Sequence, residues 1–103
     1  MGTYVQQVPV KFDTYTAPVS SYTYIDTQNH PFPLTVTAIP GASGSVTVSY
    51  SCTPNAAGLT TSANWITWPS GTVTANTTDV LISPVAALRC TAATAAGSVE
   101  ING

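Results

Sequence analysis

The chain is predicted to be all-β, an antiparallel β-sandwich of about eight short strands. Three features predict it. β-Branched and aromatic residues recur in short alternating runs, best seen in "SVTVSYSC" (45–52), where Val46, Val48, Tyr50 and Cys52 share one side and Thr47, Ser49 and Ser51 the other. Gly, Pro, Asn and Ser interrupt those runs roughly every ten residues, as turns between strands do. No stretch sustains apolar spacing of three and four, and helix formers other than Ala are scarce.

The elements follow in chain order. Segment 3–12, "TYVQQVPVKF", is extended and carries Pro9, which has no N–H to give a ladder. Residues 1–17 are therefore expected to form an amino-terminal arm or an edge strand, and residues 18–103 the sandwich body. Segment 20–26 is a strand with Tyr22 and Tyr24 on one face, and "NHPFP" is a proline-bracketed loop. Segment 34–39, "LTVTAI", puts Leu34, Val36 and Ala38 on one side, and "PGASG" turns the chain into strand 45–52. After a loop of about ten residues, "NWITW" reads as a short strand stopped by Pro69, and "TVTA" as a further short candidate. Segment 79–83 is a strand ended by Pro84, and 86–92 and 98–102 read as a closing hairpin around "ATAAG". Periodicity does not encode strand order, so jelly-roll and immunoglobulin-like connectivity both remain open.

The surface is unusual in its chemistry. Charged residues make up 6% of the chain, against about 25% in ordinary domains, and net charge is −2. Thr and Ser stand where Lys and Glu normally would. So little charge gives weak repulsion between copies, which suits a protein covered by neighbours in an assembly. The alternative is a secreted, Thr/Ser-rich, O-glycosylated domain. Lys11 and Arg89 are the only basic residues, which excludes an electrostatic footprint for nucleic acid or an anionic membrane. No apolar run has the length of a signal peptide or a membrane span.

Catalysis finds no constellation in the sequence. His30 is the sole histidine, and the carboxylates Asp13, Asp26, Asp79 and Glu100 are dispersed. The chain is read as a non-enzyme with no cofactor and no metal. Cys52 and Cys90 fall on inward faces of their strands, so a disulfide joining two sheets is one reading. Free thiols are the favoured one, for a protein made in the cytoplasm. The sequon at Asn76 matters only in a eukaryotic secretory setting. If the closing hairpin forms, Arg89 and Glu100 meet across it as a surface ion pair; alternatively Arg89 reaches a neighbouring subunit.

The two tryptophans are the sharpest question. Trp65 and Trp68 are an odd number of residues apart, so in a regular strand they face opposite ways. Ile66 and Trp68 then form the core side, and Trp65 points outward beside Thr67. Trp65 is either covered by the preceding loop or the arm, or it anchors an interface. A sugar-binding platform is a third, weaker option, and a bulge at Asn64 would re-aim both rings. Tyr4, Phe12, Tyr22, Tyr24 and Arg89 are the other candidate interface residues.

The final third, "VLISPVAALRCTAATAAGSVEING", with the earlier "NWITWPSGTV", resembles small β-proteins of tailed bacteriophages over roughly 34–102. The resemblance implies a virion structural protein: a capsid decoration (cement) protein, or a head-fibre or tail component. It implies a major capsid or other virion protein as partner, a homo-oligomer, and no catalytic residues. The competing expectation is a secreted immunoglobulin-like module that binds glycan or protein, with a Cys52–Cys90 bridge.

Overall fold

A computed structural model describes residues 12–28, 30, 32–58, 62–81 and 84–102. Among the described residues, eight strands run in chain order: β1 (Phe12–Ala17), β2 (Thr23–Asp26), β3 (Leu34–Ile39), β4 (Ser45–Ser51), β5 (Ile66–Val73), β6 (Thr77–Leu81), β7 (Ala87–Ala93) and β8 (Gly97–Asn102). They form two four-stranded antiparallel sheets, ordered β1-β8-β3-β6 and β2-β7-β4-β5. Alternation is what makes them pack. In β3, Leu34, Val36 and Ala38 turn inward and are fully buried, while Thr35, Thr37 and Ile39 face out. β4 does the same with Val46 and Val48, and β8 with Val99 and Ile101. Ile25, Trp68, Leu88 and Cys90 complete the core from the other sheet. Each large aliphatic side chain so buried contributes about 1.5–3 kcal/mol of transfer free energy.

The strand order decides the connectivity. β1 pairs with β8, β2 with β7, β3 with β6 and β4 with β5, so the chain is one long nested hairpin rolled into two sheets. That is the jelly roll. An immunoglobulin arrangement groups its strands ABED and CFG instead, so the immunoglobulin-like alternative is set aside. Among the described residues, β4 and β5 are the only consecutive strands that share a ladder.

Several sequence expectations are corrected by this topology. Phe12–Ala17 is the edge strand of its sheet, one of the two forms expected within residues 1–17, and residues 1–11 lie outside the described residues. The closing hairpin does not form: β7 and β8 belong to different sheets, and the chain crosses between them after Thr94, whose φ is 72°. Gly97 opens β8 where a Cβ would strike the Ile39 carbonyl and Val46 Cγ2, each at 2.6 Å. The Arg89–Glu100 pair therefore cannot form within one chain. Arg89 lies on the outer face of one sheet and Glu100 on the outer face of the other.

Pro69 does not stop the strand. β5 runs through it as the edge of its sheet, where a missing N–H costs little. The register jumps from Ser49 opposite Thr67 to Thr47 opposite Thr72, so β5 carries a multi-residue bulge. Gly71 supplies the positive φ of 67° that the bulge needs, and the Trp68 indole Nε1 donates to the Gly71 carbonyl at 2.6 Å. Ile66, expected beside Trp68 in the core, is 53% exposed because it opens an edge strand; Trp68 is 2% exposed. Cys52 was expected inward, but β4 ends at Ser51, whose Oγ accepts the Thr53 N–H and turns the chain, and Cys52 emerges exposed. Both thiols are free.

Candidate functional site

The sandwich offers two broad outer faces, and register fixes what each displays. On the β1-β8-β3-β6 face, one row runs Phe12, Asn102, Thr35, Val80 and the next Thr14, Glu100, Thr37, Thr78. Phe12 and Val80, at the two edges, are exposed. The Thr37 and Thr78 hydroxyls hydrogen-bond at 2.8 Å, tying β3 to β6 across the surface. Glu100 is the single ionic group in these rows, and it has no hydrogen-bond or ion-pair partner among the described residues.

On the β2-β7-β4-β5 face the central row is Tyr24, Arg89, Ser49, Thr67. Here the aromatic candidates converge. The Arg89 guanidinium carbon sits 4.2 Å from the Tyr22 ring centroid and 4.9 Å from that of Trp65. Tyr24 joins them, 5.9 Å from Tyr22 at 42° and 5.7 Å from Trp65 at 55°. Tilted pairs at these spacings suit the ring quadrupoles and are worth about 0.5–1.5 kcal/mol each; a cation on a ring face adds about 0.5–1 kcal/mol at an exposed site. Ser49, on the same outer row as Arg89, is only 6% exposed, so the cluster shields the sheet beneath it.

Arg89 is electrostatically incomplete. Its Nε is buried with no hydrogen-bond partner, and no carboxylate lies within ion-pair distance of the guanidinium among the described residues. A guanidinium offers five donors in a planar fork suited to a carboxylate. The rings hold it in place and leave that fork unanswered. Asp26 lies on the same face at the end of β2, where its Oδ1 accepts the Gln28 N–H.

Of the sequence candidates, the fold brings together Trp65, Tyr22, Tyr24 and Arg89. Phe12 stands on the opposite face, and Tyr4 lies outside the described residues. The polar closures at the two open sides of the sandwich had no signal in the sequence. On one, His30 is 5% exposed and its Nε2 lies 3.1 Å from Asp13 Oδ2; the approach is off the hydrogen-bond direction, and neither ring nitrogen hydrogen-bonds among the described residues. Tyr15 lies on the same strand face as Asp13, and burial, followed by the Asp13 charge, raises its phenol above the ordinary value. On the other side the Ser70 hydroxyl donates to Asp79 at 2.8 Å, linking β5 to β6 across the sheets. A cleft of about 350 Å³ lies beside it, lined by Tyr50, Cys52, Pro69, Val80, Leu81 and Val85. These residues come from segments distant in the chain, so no local spacing could have signalled them.

Cys90 is buried, and burial pushes its thiol up to about 11. That keeps it protonated and unreactive near neutrality. Among the described residues no group of three His, Cys, Asp or Glu could hold a metal ion, and no helix is long and apolar enough to cross a membrane. A scan of protein-family models, a search of curated proteins and a search of solved structures each return no match.

Proposed function

We propose that the chain is a non-enzymatic structural protein of a tailed-bacteriophage particle, a capsid decoration protein that binds the head shell. The observation that carries this reading is the chemistry of the two outer faces. Both are carpets of hydroxyls, methyls and aromatic edges, with Glu100 alone on the rows of one and Arg89, with Asp26 at the strand end, on the other. Faces this poor in charge resist non-specific association badly, and that property is tolerable when neighbours in an assembly cover them. Contacts built from apolar area and hydroxyl hydrogen bonds also depend little on ionic strength.

The jelly roll is consistent with this by analogy of architecture alone, since shell proteins, lectins and cupins share it. The secreted module called for a Cys52–Cys90 bridge, and the exposure of Cys52 away from buried Cys90 weighs against it. A head-fibre or tail component would present the same coat, and it differs only in which virion protein receives it. The chain would be made in the host cytoplasm and reside in the virion.

The test is co-sedimentation of the purified chain with particles of the encoding phage that lack it. Saturable binding at a fixed copy number per shell subunit, little changed by added salt, is the expected result. Recovery on tails instead of heads moves the assignment to the tail. Absence from purified particles removes the virion reading.

A further inference from the structure

We propose that the two outer faces of the sandwich bind each other between copies, with Arg89 of one copy receiving Glu100 of the next. This deepens the virion reading and rests on it for its biological setting. Four observations support the contact. Arg89 is held on the Tyr22 and Trp65 rings with no carboxylate within ion-pair distance among the described residues, which leaves its terminal nitrogens without an anion, while its buried Nε stays unpaired beneath them. Glu100 sits mid-face with no hydrogen-bond or ion-pair partner among the described residues. Both residues occupy the second strand of a four-stranded sheet, β7 and β8 respectively, in a central row. These faces are on opposite sides of one molecule, so stacking copies along the sheet normal carries each Arg89 face onto a Glu100 face.

The other carboxylates are less suited to this role. Asp13 faces His30 and Tyr15, and Asp79 accepts Ser70. Asp26 already accepts the Gln28 N–H and shares a face with Arg89, so it could answer Arg89 only in a symmetric face-to-face pair. Glu100 is instead flanked on its own row by the hydroxyls of Thr14, Thr37 and Thr78, with no other charge in the rows of that face.

A contact that uses different faces on the two partners is heterologous, and it propagates into rings or stacks instead of closing as a dimer. A face of four strands, six residues long, covers roughly 20 by 20 Å, which makes each contact individually weak and the assembly concentration-dependent.

The experiment is sedimentation velocity of the full chain over a concentration series at low salt, with Arg89→Glu, Glu100→Arg and the double variant. Wild type is expected to show a mass that rises with concentration. Each single variant should weaken association at least about tenfold, because like charges then face each other across the contact. The double variant should recover it, and so should an equimolar mixture of the two single variants. Recovery also shows that the singles are folded, since misfolded chains would not rescue one another. A wild-type chain that stays monomeric to about 1 mM, the weakest affinity worth calling binding, overturns the proposal. Loss with Arg89→Glu but not with Glu100→Arg overturns it too, and points to the symmetric Asp26 pairing. Failure here leaves the shell assignment standing if co-sedimentation holds; absence from particles with an intact charge swap does the reverse.

Discussion

The two tryptophans separate core from surface, and mutating each gives the most direct test of the fold. Trp68 is 2% exposed, belongs to the main core cluster, and pins the β5 bulge through its indole bond to the Gly71 carbonyl. Trp68→Ala removes a buried ring and leaves a cavity, at about 3–5 kcal/mol. A domain of this length has about 5–15 kcal/mol in all, so a third or more of its stability would go. Trp68→Phe retains most of the volume but loses the indole donor, worth about 1 kcal/mol for the bond, and some ring area; about 2 kcal/mol is expected in total. Trp65→Ala disturbs the Tyr24 contact and the Arg89 stack, together about 1–2 kcal/mol, without opening the core. Urea unfolding followed by far-UV circular dichroism measures all three with one probe that does not depend on the deleted fluorophores. An equal or larger loss for Trp65→Ala than for Trp68→Ala would refute the assignment of inner and outer rings. An unchanged midpoint for Trp68→Phe would refute the role given to the Gly71 bond.

Three further predictions follow from the same geometry. In native protein at neutral pH, Ellman's reagent should titrate exposed Cys52 quickly and leave Cys90 protected, with the second thiol appearing only in denaturant; two equally fast thiols would contradict the burial of Cys90. The Cys90 thiol is raised from 9.0 to about 11 on folding, so its contribution is fully present below pH 9 and is lost as pH rises toward 11, at most about 2–3 kcal/mol. Tyr15 acts in the same sense at higher pH, and urea midpoints across that window should fall less steeply in Cys90→Ala than in wild type. Gly71→Ala should cost about 1–2 kcal/mol through backbone strain alone, since nothing lies within 4 Å of the added methyl; Gly71→Asn, which tolerates positive φ, should cost less in the same urea assay.

The sequence by itself determined the strand character of the best-alternating segments and which side of those strands is buried. Leu34–Val36–Ala38 and Val46–Val48 could be read directly, because a period of two is local and a misplaced side chain would put polar groups in the core. Alternation also placed Trp65 outward and grouped Tyr22 with Tyr24. The tertiary structure decided everything that depends on which strand lies beside which. Ladder pairing is non-local, so nothing in "ALRCTAATAAGSVEIN" shows that β7 and β8 part to opposite sheets. That parting sends Arg89 and Glu100 to opposite faces, and the meeting of β2, β7 and the start of β5 stacks Arg89 between Tyr22 and Trp65. The burial of His30 beside Asp13 and the exposure of Cys52 were likewise settled by strand ends and loops, where periodicity no longer applies.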